Sequence, residues 1–158
     1  MKVPLTKGQH ALIDDADLDT VEAIGPWFAG ERRNTFYACH STFVNGKGGT
    51  LLMHNVITGW PYVDHINGNG LDNRRQNLRS ANASTNAANS RKRSDNTSGF
   101  RGVSQKHGQW RAAMQLKGRY IYLGLFASPI EAALAYDAAA LHHFGEYARP
   151  NFPQEVSA

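Results

Sequence analysis

A second cysteine is missing. Cys39 stands alone among 158 residues, which excludes an intrachain disulfide and a cysteine-based zinc site. In an apolar stretch, a single Cys reads as a small core residue. Long apolar runs are missing too: no window approaches the length of a membrane-spanning helix. The opening residues, MKVPLTKGQH, lack the apolar core of a secretory signal, and the expectation is a cytoplasmic protein. The middle of the chain is poor in negative charge. Residues 61–120 carry 11 basic and 3 acidic side chains, a net +8, between flanks of net −1 (residues 1–60) and −3 (residues 121–158), which returns the overall +4. Such a band is the electrostatic footprint of a polyanion partner, most often nucleic acid, against the alternative of a solvated basic surface. Finally, residues 91–98, RKRSDNTS, contain no apolar side chain and read as a basic linker.

The length suits one ordinary domain or two small ones, and 15 glycines predict many turns. Residues 1–90 read as a mixed α/β part. Val3–Leu5 and Ala11–Ile13 are short strands, and Asp14–Ile24 is a helix that opens with acids and stops at Gly25-Pro26. Thr35–Val44 is a strand, residues 45–49 a hairpin turn, Thr50–Met53 the returning strand and His54–Thr58 a helical turn. Trp27, Phe28 and Trp60 are expected in the core. Residues 99–153 form a second unit, followed by a tail, 154–158. Phe100–Val103, Trp110–Leu116 and Arg119–Leu125 are strands, the last two joined by a Lys117-Gly118 turn. Trp110, Ala112, Met114, Leu116, Ile121, Leu123 and Leu125 point inward by alternation. Ser128-Pro129-Ile130-Glu131 starts a helix that runs to about Phe144 and stops at Gly145. The fold class is therefore α+β: a mixed first part, then a three-stranded antiparallel sheet packed on one helix. Such a sheet buries one face and leaves Arg101, Arg111, Gln115, Tyr120 and Tyr122 on the other.

The most unusual stretch is VDHINGNGLDNRRQNLR, Val63–Arg79. Hydrolysing a phosphodiester needs an activated water and stabilisation of developing charge. His65 has the ordinary pKa range of a general base. Asp64, on the opposite side of an extended backbone, is suited to a hard divalent cation. A second oxygen ligand must come from elsewhere; Asn82, Asn86 and Asn89 are the candidates. Asn77 is placed to fix the loop and orient the imidazole. Arg74, Arg75 and Arg79 either grip phosphates or are exposed charges. His54, 11 residues before His65, either approaches the metal or is a structural or phosphate-contacting side chain. His107, His142 and His143 have no catalytic part in this reading.

Asp64-His65, Asn77 within DNRRQNLR, and Asn86 together resemble the ββα-metal site of HNH endonucleases, in the His-Asn-Asn variant of homing enzymes, over residues 52–90. The resemblance implies that Asp64 and Asn86 hold one metal ion, with Asn89 as the alternative ligand. It makes His65 the general base and Asn77 the loop support. Oxygen ligands suit Mg2+, with Mn2+ able to substitute, and disfavour zinc.

The second unit resembles the ethylene-response-factor (Apetala-type) DNA-binding domain. The matching residues are Arg101-Gly102-Val103, Trp110, Leu123-Gly124, Glu131-Ala132-Ala133, Ala135-Tyr136-Asp137 and Asn151-Phe152. That resemblance implies a sheet docked in the DNA major groove, with Arg101, Lys106, Gln109, Gln115, Tyr120 and Tyr122 as contacts. Arg111 joins them by alternation. Ser104, Gln115 and Tyr120 stand where the family has arginines, Ala113 where it has an acid and Tyr122 where it has tryptophan, so the plant target sequence does not transfer.

The expectation is a phage-borne, homing-type DNA endonuclease in an infected bacterial host, acting on double-stranded DNA. No membrane or small-molecule substrate is expected, and a monomer is the default. The alternative is a non-catalytic DNA-binding regulator with a degenerate nuclease part.

Overall fold

A computed structural model describes residues 1–32, 35–82, 85, 88–89 and 96–153. The chain divides into two compact units, Met1–Asn82 and Ala83–Ala158. The Asn/Ala-rich segment from residue 83 onward thus falls with the second unit. Residues 91–95 of the expected linker lie outside the described residues.

In the first unit, β1 (Lys2–Pro4) pairs antiparallel with β2 (His10–Leu12). The expected helix over Asp14–Ile24 is split. Asp15–Asp17 forms a 3-10 turn, and only Leu18–Glu22 is α-helical (α1). The cause is Asp17: its carboxylate is buried against Arg75, which donates from Nε and Nη2 at 2.6–3.1 Å. A strand missed by the sequence reading, β3 (Phe28–Arg32), follows. Its FAGER sequence holds one strong strand former, so propensity gives no signal. β3 pairs with β4 (Thr35–Val44), which pairs with β5 (Lys47–Leu52). The β4–β5 turn is Asn45-Gly46 alone, with φ of 50° and 76°. The expected five-residue turn is shorter because Asn-Gly satisfies the tightest hairpin geometry, and both strands extend toward it.

Helix α2 (Met53–Thr58) leads to β6 (Val63–His65), which pairs antiparallel with β7 (Leu78–Ser80). Ala11, Ile13, Val21, Trp27, Ala38, Met53, Ile57, Val63, Leu71 and Leu78 form one buried cluster. Trp27 is core as expected, its indole N–H donating to Val21 O at 2.9 Å, and Cys39 is buried. Trp60 is not core; it is exposed.

Among the described residues, the second unit holds an antiparallel sheet in the order β10-β9-β8 with a helix packed on it. The strands are β8 (Val103–Lys106), β9 (Gln109–Leu116) and β10 (Arg119–Phe126); α3 spans Pro129–Phe144. The α3 start carries the expected capping box, Ser128 accepting from the Glu131 N–H and Glu131 accepting from the Ser128 N–H. Ala132, Ala133 and Ala140 are buried, as close packing on a sheet requires.

Two expectations need correction. The first strand starts at Val103; Phe100–Gly102 is a turn. Leu125 is exposed, because the pairing jumps from Tyr122↔Ala113 to Gly124↔Ala112. Leu123 is the extra residue of a bulge, so alternation inverts beyond it and Phe126 turns inward instead.

Candidate active site and nucleic-acid interface

The β6–β7 ladder pairs Asp64 with Arg79 and His65 with Leu78. Asp64 is 4% exposed and His65 5%. The asparagines between these strands replace backbone hydrogen bonds that the loop cannot make. Asn67 Oδ1 accepts from the Asn69 N–H at 2.8 Å, and Asn69 Oδ1 from the Leu71 N–H at 3.1 Å. Asn77 closes the loop at its base. Its Oδ1 accepts from the Asn67 N–H at 3.1 Å, and its Nδ2 donates to Asn67 Oδ1 at 3.1 Å and Asp72 O at 2.7 Å.

Asn77 does not meet the His65 ring; the contact is made by Asn73, which sequence reasoning missed. His65 Nε2 lies 3.3 Å from Asn73 Oδ1. Asn73 Nδ2 is turned to Leu71 O at 3.4 Å and Met53 Sδ at 3.6 Å, which leaves the amide oxygen facing the imidazole. Nε2 therefore donates, and the lone pair of neutral His65 sits on Nδ1. Burial pushes the His65 pKa below its ordinary 6.5, against the Asn73 hydrogen bond and the charges of Asp64 and Asp72. The ring is thus a base at neutral pH with a defined basic nitrogen.

His54, on α2, is 5% exposed, and its ring centroid is 4.8 Å from that of His65 at 87°. Its Nδ1 is buried with no hydrogen-bond partner among the described residues. Burial, with His65 as a second cause, pushes its pKa down to about 3. An unfolded chain would protonate His54 near its ordinary 6.5. Between that value and about 3 the unfolded state binds more protons, so stability is full above the window and falls as pH drops through it. The slope expected from His54 is about 1.4 kcal/mol per pH unit. Urea titrations of the first unit's unfolding at about pH 7.5 and about pH 5 check this. The acidic midpoint should be the lower, and His54→Leu should narrow the gap; equal midpoints in the parent would refute it.

The three arginines of the motif each meet a carboxylate. Arg74 donates from Nε and Nη2 to Asp72, both at 2.8 Å, and these bonds hold the Asp72 carboxyl below its ordinary range. Arg75 meets Asp17 and donates to Ile57 O at 3.0 Å. Arg79 donates from Nε and Nη2 to Asp64 Oδ2 at 2.9 and 2.7 Å. Their first role is internal, tying the loop to β2–α1 and across the β6–β7 ladder.

For a divalent cation, Asp64 offers the hard oxygen such an ion prefers, although Arg79 already engages one of its oxygens. Asn86, the second ligand implied by the resemblance, lies outside the described residues. Asn89 is described: it is buried, and its N–H donates to Thr85 O at 3.2 Å, one helical turn back. Among the described residues no group of three or more His, Cys, Asp and Glu side chains is placed to hold a metal. Among the described residues the fit therefore rests on the Asp64 carboxylate.

In the second unit, the register places six of the seven expected contacts on one sheet face. Lys106 pairs with Gln109, Ser104 with Arg111, Tyr120 with Gln115 and Tyr122 with Ala113; paired residues share a face. Tyr120 and Tyr122 are each 56% exposed. Arg111 donates to Ser104 Oγ at 2.9 and 3.1 Å and lies over the Tyr120 ring at 5.8 Å. Arg101 is the exception. It belongs to the turn before β8, and its guanidinium donates to Arg149 O and to Ala88 O at 2.5 and 2.6 Å. A guanidinium committed to backbone carbonyls is a brace, so the outward placement expected for Arg101 is corrected.

No family model matches the chain. Over 102 residues it is 33% identical to a protein of Acanthamoeba polyphaga mimivirus named as an uncharacterized HNH endonuclease, covering 65% of this chain and 53% of that protein. It is 54% identical over 59 residues to APETALA2-like protein 2 of Oryza sativa subsp. indica, covering 35% of this chain and 14% of that one. It is 43% identical over 68 residues to dehydration-responsive element-binding protein 2E of Arabidopsis thaliana, covering 36% and 28%. The chain thus spans between 14% and 53% of the length of these relatives. Their names point to nuclease and DNA-binding proteins. No helix among the described residues is long and apolar enough to cross a membrane.

Proposed function

We propose that the chain is a metal-dependent, homing-type HNH endonuclease that hydrolyses phosphodiester bonds of double-stranded DNA. The observation that carries this reading is His65. It is a buried imidazole held neutral, with its tautomer set by Asn73 and a carboxylate at the preceding residue. His65 takes the proton of the attacking water at Nδ1. Asn77 keeps the loop that carries it closed. Asp64, with Asn86 as the second ligand, would hold one Mg2+ or Mn2+, which supplies Lewis-acid stabilisation of the leaving oxygen when bound. The products are 5′-phosphate and 3′-hydroxyl ends. The second unit supplies affinity through Lys106, Gln109, Arg111, Gln115, Tyr120 and Tyr122 on one sheet face, whose cationic, amide and aromatic groups suit the major groove.

A second reading has one observation in its favour. Arg79 pairs with the Asp64 carboxylate at 2.7 Å, a positive charge that competes with a cation for it, and with a degenerate nuclease part the sheet would make the chain a non-catalytic DNA-binding regulator. Supercoiled plasmid incubated with the full chain separates the two. Mg2+ or Mn2+ should give nicked or linear product, zinc should substitute poorly, and EDTA should stop the reaction. Cutting that persists in EDTA would refute the metal-dependent mechanism. Binding without cutting in any metal would establish the regulator.

A further inference from the structure

We propose that His54 and Tyr37 are positioning residues for His65: their rings close on its imidazole and fix the plane in which it presents Nδ1. The three side chains come from α2, β4 and β6. His54 meets His65 edge to face, with centroids 4.8 Å apart at 87°. Tyr37 meets His65 at 5.7 Å and 64°, and His54 at 5.7 Å and 66°. Each ring therefore braces the other two.

The physical need is specific. The Asn73 contact sets one nitrogen of His65, and a hydrogen bond of this kind tolerates a range of ring planes about its own axis. Proton abstraction depends on where the opposite nitrogen points, so groups packed against the ring bear directly on it. Two rings packed against the imidazole hold it. The box is tight: a Cβ on Gly70 would lie 2.7 Å from the Tyr37 ring and 2.5 Å from Phe36 O, so any side chain there would displace the tyrosine. Helix α2 also serves the Asn73 contact, because Met53, next to His54, takes the Asn73 amide at 3.6 Å.

His54 also carries a cost that apolar packing would avoid. Its Nδ1 is buried and unpartnered among the described residues, so replacing the imidazole by an apolar side chain removes a desolvated polar atom. This separates positioning from stability. His54→Leu keeps the bulk and loses the ring; His54→Phe keeps a ring edge. Both should melt at or above the parent temperature.

The effect on rate rests on the nuclease reading; the geometry does not. The test uses the full chain, Mg2+ and supercoiled plasmid in single turnover. His54→Leu should cleave about 10–100-fold more slowly, because small misplacements of a reacting group cost that much. DNA affinity should stay within about twofold, since the box makes no contribution to ground-state binding. His54→Phe should recover to within about threefold of the parent. In parallel, NMR of the His65 ring protons should show a clear shift in His54→Leu and a smaller one in His54→Phe. Equal rates for His54→Leu and the parent would overturn the proposal. So would a His54→Phe protein as slow as His54→Leu. If the parent does not cut at all, the nuclease reading fails and the NMR arm decides alone: unchanged His65 signals in His54→Leu would overturn the positioning role.

Discussion

A His65→Ala protein should bind DNA as the parent does and cleave it about 10²–10⁴-fold more slowly, the range a general base contributes. The expectation follows from where the ring sits. His65 is buried on β6, with one nitrogen spent on Asn73 and its pKa pushed down by burial. It is therefore uncharged at neutral pH and adds nothing to the long-range attraction of phosphates. Its contribution is made only as the water loses its proton, so the loss falls on the chemical step and leaves affinity alone. Single-turnover cleavage at saturating plasmid, beside a binding isotherm for the same duplex, checks both halves. A His65→Ala protein that cuts within about threefold of the parent would end the assignment. A matching loss of affinity would show that the substitution had disturbed the loop instead, and the melting curve of the first unit would then fall as well.

What could be read from the sequence was local. Asp64 and His65 adjoin on an extended run, so their opposite directions follow from alternation. Asn77 closes a loop whose other end lies only ten residues away, and its polar chemistry was legible in the spacing. Tyr37 and Asn73 were not. Tyr37 reaches the site from β4, and nothing in the alternation of that strand marks one ring as special. Asn73 is one amide among several in the loop, and only its complete burial sets it apart. The arginines show the same limit. Their charge was plain, but the partner of Arg75 lies 58 residues away at Asp17, so sequence could not tell a phosphate grip from an internal tie. In the second unit, alternation carried the outer face correctly through Tyr122 and failed at Leu125. A period-2 argument assumes an unbroken ladder, and the bulge at Leu123 breaks it. Arg101 failed for a related reason: the strand was started three residues too early, across a glycine whose backbone is not extended.

That glycine carries the other large expected effect. Gly102 has φ of +70°, a conformation that side chains disfavour, and it sits where the turn passes under α3. A Cβ there would collide with the ring of Tyr136 and lie 2.7 Å from Ala113 O. Neither neighbour has room to move. Tyr136 is buried, and its ring lies under the Arg101 guanidinium at 5.9 Å. Ala113 is in the central strand, and its N–H donates to Gly102 O at 2.9 Å. Strained backbone and overpacking cost about 1–3 kcal/mol each, so Gly102→Ala should cost roughly 2–6 kcal/mol. A unit this small holds a modest margin, at the low end of about 5–15 kcal/mol, so much of it should be lost. The second unit should melt many degrees lower, and the exposed tyrosines should no longer share a face with Arg111. DNA affinity should fall steeply. The contacts of His65 with Asn73, His54 and Tyr37, all residues of the first unit, should keep their NMR signature. Heteronuclear spectra of the Gly102→Ala chain read both units at once. Intact dispersion from β8–β10, or a melting temperature within a few degrees of the parent, would show that the turn yields where the geometry says it cannot.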